Sequence, residues 1–191
     1  MLPEGVRIER SLTLEQFKQM EELELTCYSS DYITPAVESY NWYRCHPHST
    51  LVACEGAEIV GFVNLLPVRR DLFELIQTGR FNDSNMTASD ILPLDGCADR
   101  PIELFLSCIV VHERFRGSGL ARSLAAMALA PYLEEGTSCR FVVTDNVTPD
   151  GVRFSECLGF EFVCESDHGS RIYQCEIAKL VETLDVSACS L

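Results

Sequence analysis

Apolar and polar positions along this chain follow two periods, and the switches between them outline a mixed α/β fold built around one sheet. Residues 6–9 read as a short strand. Thr13 is placed to cap a helix over residues 14–27, where Leu14, Phe17, Met20 and Leu23 return at roughly helical spacing. Pro35 opens a second helix that runs to residue 44. Residues 50–54 and 58–66 are apolar strand-like runs joined by Glu55-Gly56-Ala57, a hairpin signal. A short helix is predicted over residues 71–78.

From residue 79 to residue 100 the chain is rich in Asp, Asn, Ser and Gly with weak periodicity, which predicts a loop or insertion that shapes a pocket. A long strand follows over residues 102–111, then a helix over 119–134 with Leu120, Leu124, Met127 and Ala128 facing inward. Pro131 should kink or end that helix, because an interior proline costs roughly 3 kcal/mol. Residues 140–144 form a strand, residues 150–158 a helix stopped by Gly159, and residues 160–164 and 170–177 a closing antiparallel pair. The tail beyond Lys179 is given no element, and no internal repeat is present.

Length and composition narrow the function classes. The chain has 191 residues, 47% of them hydrophobic, which suits one domain with a substantial core. Its formal charge of −14 argues against a nucleic-acid partner and against an anionic membrane surface, and mildly favours a cationic substrate. Ten cysteines include no C-x-x-C pair and several lie in apolar runs, so they read as reduced thiols of a cytoplasmic protein. The first residues lack the basic-then-apolar pattern of a signal peptide, and no apolar run is long enough to span a membrane.

The segment from Cys108 to Leu124 carries the candidate chemistry. A β-branched strand gives way to a basic loop with Gly117 and Gly119, and then to a helix. That order makes an anion site, because the first helical turn has N–H groups without partners at the positive end of the dipole. Arg114, Arg116 and Arg122 add positive charge. The run lacks the spacing of a P-loop, and Arg122 occupies the third small position of a Rossmann fingerprint.

Arg116-Gly-Ser-Gly119-Leu-Ala121 instead resembles R/Q-x-x-G-x-G/A, the pyrophosphate loop of the GNAT superfamily of acetyl-CoA-dependent N-acetyltransferases. Asn146 and the run Phe154-Ser-Glu-Cys-Leu-Gly-Phe160 resemble a second motif of that family. The resemblance implies a single domain over residues 1–191, with a cofactor-binding core at about 102–165 and an insertion at about 79–100. It implies a mixed, mostly antiparallel sheet of about seven strands, flanked by about four helices, with splayed central strands. It further implies that Gly117, Ser118, Gly119, Leu120, Ala121 and Arg122 hold the CoA pyrophosphate beside Arg116. Ile109, Val110 and Val111 would pair with the pantetheine arm, and Asn146 would touch it from the other side.

The implied reaction is acetyl transfer to a primary amine, by direct attack in a ternary complex. The acceptor would be a small cationic molecule or a peptide amine, with no metal required, and proteins of this kind are often homodimers. A free alkylamine has a pKa of about 10.4, so a base is needed, and Glu103 is the one acid on the long strand. By alternation Glu103 should share a face with Phe105, Ser107, Ile109 and Val111, leaving Cys108 on the opposite face, in the core. Many family members place an acidic tyrosine four residues before the Gly-Phe glycine; here that position is Ser155. This departure keeps open a second reading, a non-catalytic acyl-CoA-binding sensor or partner domain. Tyr132 and Tyr173 are substitutes for the missing tyrosine, and Tyr28, Tyr32, Tyr40, Trp42 and Tyr43 are candidate walls of the acceptor pocket.

Overall fold

The computed structural model describes residues 2–93, 101–134 and 138–186. Seven strands form one sheet in the order β1-β2-β3-β4-β5-β7-β6. They are β1 (Val6–Glu9), β2 (Thr50–Glu55), β3 (Glu58–Val68), β4 (Pro101–Val111), β5 (Ser138–Asn146), β6 (Glu161–Glu165) and β7 (Arg171–Glu176). Every neighbouring pair is antiparallel except β4 and β5, which run parallel.

Six α-helices accompany the sheet among the described residues, not four. They are α1 (Leu14–Glu24), α2 (Ala36–Cys45), α3 (Arg70–Gln77), α4 (Leu120–Leu129), α5 (Pro149–Cys157) and α6 (Ile177–Leu184). Helices α1, α2 and α3 cover one face, where Phe17, Trp42, Phe73 and Phe105 are buried. Helices α4 and α6 cover the other, where Leu104, Leu124, Leu129 and Leu180 pack together.

Local chemistry explains the boundaries. Thr13 and Gln16 form a reciprocal capping box at the start of α1. The helix stops at Glu24, three residues short of the expected end, because the Thr26 hydroxyl bonds the Leu23 carbonyl at 2.7 Å and the chain tightens into a turn. Thr148 caps α5 with Pro149 in its first turn, and Gly159 leaves the helix at φ +84°. Pro131 ends α4 as expected, and the chain continues in a 3-10 turn, Ala130–Leu133. Helix α6 begins at Ile177, expected to end the last strand, and runs into the tail beyond Lys179. Its buried Ile177, Leu180 and Leu184 sit at helical spacing.

The segment from residue 79 is organised by two 3-10 turns, Asp83–Asn85 and Ala88–Asp90, and by a bridge between Ile91 and Val68. The rest of the expected insertion, residues 94–100, lies outside the described residues. No disulfide joins the eight described cysteines. Among the described residues no helix is long and apolar enough to cross a membrane.

Candidate active site

A gap in the sheet makes the site. Strands β4 and β5 pair from Pro101↔Ser138 to Leu106↔Thr144 and then part. Beyond that point β4 stays paired to β3 as far as Val111, and β5 stays paired to β7 as far as Asn146. The two halves of the sheet diverge around a cleft of about 950 Å³. Ile109, Val110 and Val111 line it, so the β4 edge that β5 abandons faces the opening.

The glycine loop closes one end. After a 3-10 turn, Glu113–Phe115, Gly117 and Gly119 adopt φ of +75° and +86°, a region that L side chains avoid. The Ser118 hydroxyl donates to the Phe115 carbonyl at 2.6 Å and accepts from the Leu120 N–H at 3.3 Å. The first bond of α4 runs from Ser123 N–H to Gly119 O, so helix geometry leaves the earlier N–H groups of Gly119, Ala121 and Arg122 to a ligand. A Cβ built on Gly117 or Gly119 would meet nothing within 4 Å, and the open space admits a bulky anion. Arg116 and Arg122 line the cleft. Arg114, expected among the anion-binding charges, instead pairs with Glu55 and Glu58 on the β2–β3 hairpin at 3.3 and 2.8 Å.

The description Acetyltransferase (GNAT) family belongs to a family model that matches residues 17–160. The chain belongs to that family. These are acyltransferases, and the seven-stranded sheet with its split centre is their fold. Similar solved structures include Ard1 from Thermoplasma volcanium, at 15% identity, TM-score 0.61, 91% of this chain and 98% of that one. The GNAT-like decarboxylase GphF in complex with isobutyryl-CoA matches at 15% identity, TM-score 0.64, 90% and 98%. An agmatine N-acetyltransferase matches at 12% identity, TM-score 0.56, 91% and 100%. No curated protein matches the sequence.

The other end of this acetyltransferase's cleft is acidic and aromatic. Glu24, Asp83 and Asp145 line it, with Tyr28, Tyr32 and Trp42. Glu24 sits at the last turn of α1. Its carboxyl is raised to about 7, first by burial and then by the nearby Asp83 and Glu21 carboxylates, against a hydrogen bond from Cys108. Cys108 Sγ donates to Glu24 Oε1 at 3.1 Å. Burial first, and then Glu24, pushes that thiol well above its ordinary value. Tyr28 OH approaches the Ile109 carbonyl at 3.5 Å. On the β5 side, His168 Nε2 meets Asp145 Oδ2 at 2.9 Å. Burial opposes protonation of His168, but Asp145 and Asp167 outweigh it and raise its pKa.

A β-bulge produced this arrangement and overturns the expected faces of β4. Asn64 pairs with Cys108 and Leu65 with Leu106, so Ser107 has no partner on β3. Alternation changes phase there. Ile102, Leu104 and Leu106 face α4 and α6 before the bulge, and Ile109 and Val111 take that face after it. Ile109 and Val111 therefore do not share a face with Glu103. Cys108, expected in the core on the opposite side, turns to α1 and into the cleft. No sequence signal marks the bulge.

The two expected catalytic residues, Glu103 and Ser155, are both buried, and only Ser155 lines the cleft. Glu103 is 3% exposed and does not line the cleft. It accepts from Arg70 at 3.1 Å and from the Phe141 N–H at 3.1 Å, and it holds α3 against β4 and β5. Ser155 lines the cleft but is 2% exposed. Its hydroxyl is taken up by the Asn146 amide, with Nδ2 donating to Oγ at 2.9 Å. The serine thus positions Asn146, which itself lines the cleft. Tyr132 and Tyr173 bond the Leu65 carbonyl and Glu156, and neither lines the cleft. Tyr40 and Tyr43 pack on Phe17 away from it, whereas Tyr28, Tyr32 and Trp42 do line it.

Proposed function

We propose that this protein transfers an acetyl group from acetyl-CoA to a primary amine, small or peptide-borne, by direct attack while both are bound. The observation that carries this reading is Glu24, a cleft carboxylate with a pKa of about 7, set against the abandoned edge of β4. A base poised near neutrality is matched to removing a proton from an ammonium group at physiological pH.

The residues present fit the donor. The N–H groups at the start of α4, with Arg116 and Arg122, would hold the pyrophosphate. The main chain of Ile109 to Val111 would hold the pantetheine arm, with Asn146 opposite. Bound there, acetyl-CoA supplies an activated acyl group whose thiol leaving group has a pKa of about 8.5 and departs without a strong acid. Glu24 takes the amine's proton, and the amine, bound beside the thioester in the cleft, attacks the carbonyl carbon. An N–H of the β4 edge meets the charge that develops on the oxygen. The carboxylates of Glu24 and Asp83 favour a cationic acceptor.

The test is acetyl-CoA binding by calorimetry, followed by amine-dependent CoA release, with an Arg116→Ala, Gly119→Glu double variant as control. Micromolar binding abolished in the variant, with CoA release by the wild type, is the expected result. Binding without release for any primary amine would replace the enzyme with an acyl-CoA-binding module.

A further inference from the structure

Two polar atoms in the acceptor half of the cleft are buried without a hydrogen-bond partner: Trp42 Nε1 and Asp145 Oδ1. Both side chains line the cleft. Trp42 is 1% exposed, so bulk water does not serve its N–H. A buried donor left unmet is costly, and one beside a cleft can be satisfied by a ligand.

The two atoms lie on one face of the sheet. Trp42 packs in the same cluster as Phe105, Val143 and Ile172. Asp145 is two residues beyond Val143 on β5, hence on the same face, and pairs with Ile172 across to β7. One atom is a donor and the other an acceptor. Asp145 Oδ2 is already engaged by His168, which leaves Oδ1 as the free lobe of that carboxylate. Neither atom belongs to the proton-transfer group, because Glu24 reaches the cleft from α1 and is held by Cys108.

We propose that Trp42 and Asp145 form a subsite for a neutral group that both donates and accepts a hydrogen bond, carried by the acceptor close to its reactive amine. An amide or a hydroxyl has that chemistry. A plain alkylamine leaves both buried groups unmet, and a second ammonium offers nothing to the indole N–H. Sites built to bond a substrate OH or NH discriminate strongly against analogues that lack it. The inference rests on the amine-acetylating reading and specifies its acceptor.

The experiment compares kcat/KM for CoA release across amines of matched length: an alkylamine, a diamine, an amino alcohol and an amino-acid amide. It is run on the wild type and on Trp42→Phe and Asp145→Leu. The wild type is expected to prefer the amino alcohol or the amide over the alkylamine and diamine by tenfold or more. Each variant is expected to reduce that ratio to within about threefold. The ratio is taken within one protein sample, so partial loss of folded variant cancels. Preference for the amide over the alcohol would mark a peptide-like acceptor, and the reverse a hydroxylated small molecule. Equal use of the alkylamine, or a ratio unchanged in both variants, would overturn the subsite while leaving acetyl transfer standing. No release with any amine, alongside intact acetyl-CoA binding, would overturn the enzymatic reading and the subsite with it.

Discussion

Cys108 Sγ donates a hydrogen bond to Glu24 Oε1 at 3.1 Å, joining the β4 bulge to the last turn of α1 across 84 positions of sequence. The thiol is the donor that steadies the ionised carboxylate, while burial and the Asp83 and Glu21 charges oppose ionisation. The balance holds Glu24 near neutrality.

Glu24 therefore sets the expected pH dependence. A base must be ionised to act, so kcat/KM should rise with pH and level off above about 7. Glu24→Gln should lower kcat by about a hundredfold or more and remove that limb. A pH–rate profile of both proteins checks this. An unchanged limb in the variant would assign it to another group.

The same shift has a stability consequence of opposite sign. A carboxyl whose folded pKa is raised from 4.5 to about 7 destabilises the fold as pH climbs through that window, and fully above it. Glu24→Gln should raise stability at pH 8 by on the order of 2–3 kcal/mol and leave it unchanged below about pH 4. Denaturant melts at the two pH values read the difference.

Removing the thiol should move the limb. Cys108→Ala takes away the one hydrogen bond that lowers the Glu24 pKa, so the rising limb should shift to higher pH while acetyl-CoA affinity is kept. A shift to lower pH would contradict the donor role given to Cys108.

Ser155→Ala separates positioning from acid catalysis. With the hydroxyl gone, the Asn146 amide loses its partner, and acetyl-CoA affinity should fall several-fold. A fall in kcat with affinity unchanged would instead make the serine a proton donor to the leaving thiolate.

Glu103→Gln should leave catalysis unchanged. The glutamine still accepts from the Phe141 N–H; it gives up an ion pair with the exposed Arg70, and it also removes a buried charge whose burial raises the Glu103 pKa. Thermal melting at neutral pH should therefore show no loss of stability, and the pH–rate limb should stay where Glu24 puts it.

Much of this protein was determined locally and was legible in the chain. The strand–loop–helix around Gly119, the cap at Thr13, the hairpin at Gly56 and the stop at Gly159 depend on neighbouring residues and on backbone angles that only certain side chains allow. The α6 pattern was present too, in Ile177, Leu180 and Leu184, although its brevity hid it. The chemistry at the acceptor end was decided elsewhere. Ser107 bulges because β4 must pair with β3 while parting from β5, and that single extra residue reverses which side chains face the cleft. Strict alternation, applied to the sequence, therefore sent Cys108 to the core and put Glu103 at the site. Glu24 is one acid among many on an amphipathic helix until the fold brings Cys108 and Asp83 beside it. A raised pKa depends on burial and on charges distant in sequence, and only the tertiary structure supplies those.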